Sequence, residues 1–330
     1  MKGLKRLSAI LGVVLAALLL LGAGTSAESV VESSPRIVIL PEAIRPGDPL
    51  TVAIVFPGKT DAEELSRTRS VLVAPDGRRL AAASAFPIGT TEEGEAVYCA
   101  LLAVPSTSPV GPMRIVLENA GKPVAEEGII LHGRDFLREE IDLNKNNTEL
   151  RTIEDPQKAS ESAALWRLLS SFNPAAFSLG AFRPPVESTR RTSHFGDRRK
   201  YLYSDGSSDS SIHAGIDYGV PRGTPVRSSA AGRVVLSRSR IVTGNSVVIE
   251  HLPGVFTLYY HLDKLDVKEG ETVEAGRVIG TSGSTGLSTG PHLHWEVRVA
   301  GEAADPDSFV ARAVLDKDLV LSKIGGHHDR

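Results

Sequence analysis

The stretch NSVVIEHLPGVFTLYYHL, residues 245–262, decides the fold class. Two short apolar runs flank Pro253-Gly254, and neither has the length or the 3.6-residue period of a helix. The same pattern recurs on either side, in GVPRGTPVRSSAAGRVVLSRS before it and in ETVEAGRVIGTSG and HLHWEVRVA after it. Gly and Pro punctuate every run, and few helix signals occur before the C-terminal residues. Residues 183–312 are therefore predicted to form an antiparallel β-sheet domain, with 313–330 as a tail.

Upstream, residues 36–133 read as RIVILP, PLTVAIVF, SVLVAPDG, AVYCALLAVP, MRIVLENAG and EEGIILHG, closed by Pro-Gly, Asp-Gly and Asn-Ala-Gly. Short strands at this spacing predict an immunoglobulin-like β-sandwich. His, Asp and Glu do not concentrate there, so the region reads as a spacer or as a module for a protein partner. Residues 134–182 turn polar and charged, and Ala164, Leu165, Leu168 and Leu169 recur at helical spacing. They are expected to be a helical linker, which either only connects its neighbours or folds over the next domain's cleft. The predicted class is all-β: sandwich, helical linker, antiparallel sheet domain.

Residues 1–27 stand apart. Lys2, Lys5 and Arg6 precede the apolar run Leu7 to Leu21, and the segment closes on Thr25-Ser26-Ala27. This is the pattern of a cleaved secretory signal peptide, and it predicts a secreted chain in the periplasm or cell envelope. Left uncleaved, the same run would anchor the chain in a membrane. No cysteine follows it, which excludes a lipoprotein anchor. The formal charge of the chain is −3, and removing the three cations of the segment leaves −6. A mildly acidic chain argues against nucleic acid as a partner. The single cysteine, Cys99, lies in the apolar text AVYCALLAV and reads as a buried strand position with no disulfide partner.

Most of the histidines fall in the second β-rich region. In IHAGIDYGVPRGTPV, His213 and Asp217 are four apart, and on a regular strand an even separation puts both side chains on one face. In GPHLHWEVR, His292 and His294 share a face by the same rule, and His261 ends the apolar run LYYHL. Imidazole and carboxylate are suitable zinc ligands. Taken singly, His261 reads as a hydrogen-bonded sheet residue, H-x-H is a stronger signal, and H-x-x-x-D is common by chance.

The combination is more specific. From about Arg183 to Arg298 the text TSHFGDR, HAGIDYGVPRGTPV, AAGRVV, GNSVVIEH, LYYHL and VKEGETVEAGRVIGTSGSTGLSTGPHLHWEVR resembles the lysostaphin-like zinc endopeptidases of the M23 peptidase family. The resemblance implies Zn2+ held by His213, Asp217 and His294, with His261 and His292 as unligated histidines beside it. It implies a zinc metalloendopeptidase that hydrolyses stem or cross-bridge peptides of peptidoglycan. His292 is assigned as the base acting on water and His261 as the donor to the developing charge, an assignment that leaves exchanged roles open. Two departures, Ala214 and Tyr260, are expected to touch no ligand. Gly283, Gly286 and Gly290 are expected to permit tight turns and close backbone approach beside a cleft, and KYLYSDGSSDSS to be a rim loop.

Two rival readings accompany this one. A lysostaphin-like domain can be catalytically silent and act as an activator or binding protein of other wall hydrolases. TPVRSSAAGRVV and VKEGETVEAGRVIG also resemble biotinyl and lipoyl hairpins, where only Lys264 could carry an attachment. His132, His194 and His251 read as structural, and His327-His328 as a solvated terminus.

Overall fold

The computed structural model describes residues 34–57 and 66–325, and from Ser34 onward the chain is one compact unit. The expected signal segment and the His327-His328 pair lie outside the described residues. Among the described residues no helix is long and apolar enough to cross a membrane.

The protein is mostly β. Strands β1 (Arg36–Leu40), β2 (Pro49–Phe56), β3 (Thr68–Val73), β4 (Arg79–Ser84), β5 (Phe86–Thr90), β6 (Ala96–Ala103), β7 (Gly111–Asn119) and β8 (Lys122–Leu131) form two antiparallel sheets, ordered β1-β2-β6-β5 and β4-β3-β7-β8. One apolar cluster joins them, with Leu50, Val52 and Ile54 from the first sheet and Leu72, Ile115 and Leu117 from the second. The first sheet is covered on its other face as well: Ala53, Val55, Cys99 and Leu101 pack in one cluster with Ile216, Trp295 and Val297 of the C-terminal sheet. Double burial explains why PLTVAIVF and AVYCALLA are almost unbroken apolar runs, whereas β7 alternates polar Arg114 with buried Met113 and Ile115.

The segment 134–182 begins with a strand rather than a helix. β9 (Arg138–Asp142) precedes α1 (Lys145–Thr152) and α2 (Pro156–Leu169). Asn144 caps α1 by accepting from the Asn147 amide, and Asp155 caps α2 with Pro156 at its first turn. The apolar face read at Leu165, Leu168 and Leu169 packs on Leu236, Val248, Phe256, Leu258 and Tyr260, so α2 lies on the C-terminal sheet.

That sheet has ten strands: β10 (Arg191–Ser193), β13 (Gly215–Tyr218), β14 (Pro225–Arg227), β15 (Gly232–Arg240), β16 (Gly244–Leu252), β17 (Val255–Leu265), β18 (Thr272–Val273), β19 (Val278–Ser282), β20 (Leu293–Val299) and β21 (Glu302–Ala304). Its long path runs β10-β13-β20-β17-β16-β15-β18, antiparallel throughout. Pro253 and Gly254, the latter at φ +73°, make the two-residue turn between β16 and β17, as a proline followed by a left-handed glycine requires. β11 (Arg198–Leu202) and β12 (Ser208–Ile212), from the expected rim loop, form a hairpin, and β9 adds to it in parallel to make a third sheet. Helices α3 (Pro306–Ala311) and α4 (Lys317–Gly325) close the chain.

Candidate metal centre

Sheet register assembles the site. On β20, Leu293, Trp295 and Val297 are buried in the core, while His294 and Glu296 alternate toward the opposite face, and His292 stands just before the strand, bridged to Gly283. Asp217 of β13 is the cross-strand partner of His294 on one side, and Tyr260 of β17 is its partner on the other. His213 arrives differently from the expectation. The chain leaves β12 at Ile212 and re-enters β13 at Gly215, so a break between strands, not the pleat of one strand, turns His213 toward Asp217.

The result brings three potential ligand atoms together. His213 Nε2 lies 3.0 Å from His294 Nδ1 and 3.1 Å from Asp217 Oδ1, and His294 Nδ1 lies 2.7 Å from the same oxygen. Two of these separations lie a few tenths of an ångström, and the third about 0.7 Å, below the ~3.4 Å edge of a tetrahedron with metal–ligand bonds near 2.1 Å. All three residues are buried. Lone pairs crowded this closely need a cation among them, either a proton or a metal ion.

The opposite atom of each potential ligand is already engaged. His213 Nδ1–H donates to the His194 carbonyl (2.8 Å), which leaves Nε2 as a lone pair facing the site. His294 Nε2–H donates to Glu296 Oε1 (2.8 Å), and Arg298 Nε holds the other Glu296 oxygen at 2.7 Å. Arg199 Nη2 donates to Asp217 Oδ2 at 2.6 Å, which leaves Oδ1 inward. Tautomers and carboxylate orientation are thus set before any metal arrives, and the donor set fits a divalent ion.

Electrostatics follow from this packing. Burial alone would raise the Asp217 carboxyl, but His294 and His213 beside it hold it well below the usual carboxylate range. Burial alone would lower His294, yet Asp217 and Glu296 push it up to about 9 in the metal-free protein. That proton is the cation the crowded atoms require when no metal is bound.

His261 and His292 stand beside the triad, their ring centroids 4.7 Å apart. His261 Nδ1–H donates to the Thr285 carbonyl and His292 Nδ1–H to the Gly290 carbonyl, both at 2.8 Å. Each ring therefore presents a bare Nε2, and His292 Nε2 lies 3.9 Å from Asp217 Oδ1. Burial, then the neighbouring His292 and His294, push His261 down to about 3, and burial also lowers His292. Both are neutral proton acceptors at ordinary pH.

The glycine-rich loop supplies those carbonyls. Gly244 (φ +64°) and Gly286 (φ +74°) touch so closely that a Cβ on Gly244 would lie 2.2 Å from Thr285 Oγ1, and one on Gly286 2.4 Å from the Gly244 nitrogen. A Cβ on Gly283 would meet the Asp263 nitrogen at 2.6 Å, whereas Gly290 has open space around it. Close approach is thus the role of Gly283 and Gly286 but not of Gly290.

Tyr260 corrects an expectation. Its ring stacks on His294 at 5.5 Å and an interplanar angle of 5°, because β17 and β20 place the two directly opposite. It therefore packs on a residue of the potential ligand set. Glu296 is absent from the sequence reading, although its place as the next even position after H-x-H was a signal that could have found it. Arg199 and Glu139 had no such signal, since both sit in charged text that reads as a solvated surface. His251 is fully buried between the Ala231 carbonyl and the Thr257 hydroxyl, His194 serves the site through its backbone, and Lys264 pairs with Asp266 on β17.

The triad opens into a cavity of about 820 Å³, walled on one side by Leu287–Pro291 and on the other by Glu139, Leu143 and Asn147. Asn147 Nδ2 donates to the Ser288 carbonyl across it (3.0 Å), so the segment read as a linker is a wall of the cleft.

A buried His-Asp-His set with free imidazoles at a cleft defines a metallohydrolase centre. Residues 211–306 match Peptidase family M23, and the chain carries an M23 peptidase domain. The chain is 45% identical over 124 residues to the DD-carboxypeptidase/endopeptidase Mpg of Neisseria meningitidis, covering 38% of this chain and 28% of that protein. It is 44% identical over 120 residues to the peptidoglycan DD-endopeptidase ShyA of Vibrio cholerae, covering 36% and 27%. The matched stretch thus spans less than a third of those relatives. A crystal structure of a putative peptidase M23 from Pseudomonas aeruginosa superposes with a TM-score of 0.53 at 25% identity, over 81% of this chain and 94% of that one.

Proposed function

We propose that this chain is an exported zinc metalloendopeptidase that hydrolyses stem or cross-bridge peptides of peptidoglycan. The observation that carries the reading is the convergence of His213 Nε2, Asp217 Oδ1 and His294 Nδ1, each freed inward by a partner on its far side. The relatives named as peptidoglycan DD-endopeptidases support the substrate class. A basic, apolar N-terminal segment ending in small residues supports export.

Zinc held by these three residues would polarise a peptide carbonyl and lower the pKa of water. The protein's own residues handle the protons. His292 Nε2, the more open of the two bare nitrogens, accepts a proton from the attacking water. His261 Nε2 is likewise bare, so it can donate to the developing oxyanion only if it, rather than His292, takes up the proton released by the attacking water. Either imidazolium then returns the proton to the leaving amine. The cleft between the glycine-rich loop and β9–α1 would hold the substrate peptide beside the triad.

Digesting muropeptides of defined structure with wild type and with His292→Ala tests the reading. The variant is expected to lose roughly 10²- to 10⁴-fold in rate while still taking up zinc. A variant that cleaves as fast as wild type would remove His292 from the mechanism.

A further inference from the structure

The metal-ligand set is completed by chain that lies outside residues 211–306. Arg199 on β11 bonds Asp217 Oδ2 through Nη2, and its Nε donates to Glu139 Oε2 at 3.2 Å. Glu139 belongs to β9, ahead of both helices, and the parallel β9–β11 ladder makes Glu139 and Arg199 direct register partners. Ser193 Oγ lies 2.7 and 2.6 Å from the two Glu139 oxygens and fixes that carboxylate in turn. The Arg199 side chain is only 12% exposed, and that of Asp217 10%. The guanidinium fork therefore joins the buried Asp217 carboxylate to the half-buried one of Glu139, and the contact with Asp217 lies in a nearly dry place, where it is strong and geometrically exacting.

The arrangement has two physical consequences. A carboxylate with both oxygens free can rotate or chelate a metal through both, whereas Oδ2 held by Arg199 leaves a single oxygen for the ion. A lone guanidinium so close to a dication would repel it, and Glu139 cancels that charge. We propose that Glu139 and Arg199 are positioning residues of the metal centre, which make its affinity and its one-oxygen coordination by Asp217 depend on the strand that precedes the peptidase domain. The inference rests on the metal reading above.

The test uses the full chain, stripped of metal. Zinc affinity is measured by competition with a chromophoric chelator for wild type, Glu139→Gln, Arg199→Gln, Arg199→Lys and the Glu139→Gln/Arg199→Lys pair, and the visible spectrum is recorded after loading cobalt(II). Glu139→Gln is expected to weaken zinc binding roughly 10- to 100-fold. Arg199→Gln should do likewise and also reduce the intensity of the cobalt bands, as the second Asp217 oxygen joins the ion. Arg199→Lys should recover part of the affinity, and adding Glu139→Gln to it should cost less than in wild type, because an ammonium cannot fork between both carboxylates. Variants that keep their metal-free melting temperature, bind zinc within about twofold of wild type and leave the cobalt spectrum unchanged would overturn the inference alone. Wild type that takes up no metal at all would overturn the metal reading with it. Should Arg199→Gln fail to fold, Glu139→Gln, which preserves shape, and Ser193→Ala, which loosens Glu139, carry the same comparison.

Discussion

Asp217 and His294 are cross-strand partners, and the register of β13 against β20 brings Oδ1 within 2.7 Å of Nδ1. A shift by one residue in either strand would turn one of the two side chains into the core. Replacing the carboxylate removes a proposed ligand and the counter-charge of two imidazoles. Asp217→Asn is expected to lower zinc affinity at least about 100-fold and to reduce hydrolysis to background, measured by metal content after dialysis and by product release. Metal retention at one equivalent in the variant would exclude Asp217 as a ligand.

Glu296 reaches the centre through His294. Its carboxylate is buried, and although burial alone would raise its pKa, Arg298 and His294 keep it ionised. Glu296→Gln removes the negative charge that faces Arg298 and weakens the hold on the His294 tautomer. Metal affinity or kcat/KM is expected to fall roughly 10- to 100-fold with the fold retained.

The proposed ligands His213, Asp217 and His294 were legible as candidates because H-x-H and H-x-x-x-D carry them in short text; Glu296 was passed over, although it follows on the same face of one strand. Arg199 and Glu139 were not, because their roles arise from a parallel pairing across 60 residues of polar sequence that no local pattern marks. The stacking of Tyr260 depends on register, which the hydrophobic pattern of LYYHL does not specify. The sheets were readable as strands separated by turns, but the cover on both faces of β2 and β6 showed only as missing alternation. The strand β9 went unread because REEID has no apolar face to announce it.

His251 makes stability depend on pH. It is fully buried, and burial pushes its pKa from 6.5 down to about 4. The unfolded chain binds this proton near pH 6.5, the folded one only near pH 4. The contribution is therefore complete above pH 6.5, is lost progressively as the pH falls to 4, and levels off below, for a total of about 3 kcal/mol. Urea denaturation across this window should show the loss in wild type and a shallower one in His251→Gln, which lacks the titrating group. Parallel slopes for the two proteins would contradict the assignment.

Cys99 reports on the packing between the N-terminal sheet and the peptidase sheet. It is 0% exposed, and burial pushes its thiol up to about 12. A thiol reagent is expected to leave the native protein unmodified and to label one equivalent in denaturant. Cys99→Ser, which buries a hydroxyl among apolar neighbours, should destabilise by roughly 1–3 kcal/mol in urea. Rapid labelling under native conditions would mean that this face of the sheet opens.

The most direct measurement is a zinc titration of metal-stripped protein against a cross-linked muropeptide, with products identified by mass spectrometry. Cleavage is predicted to be absent in the stripped protein, to rise to a plateau at about one equivalent of zinc, and to release a new amine at a peptide bond of the substrate. Hydrolysis that is equally fast without metal, or zinc bound at His213, Asp217 and His294 with no muropeptide cut, would contradict the account.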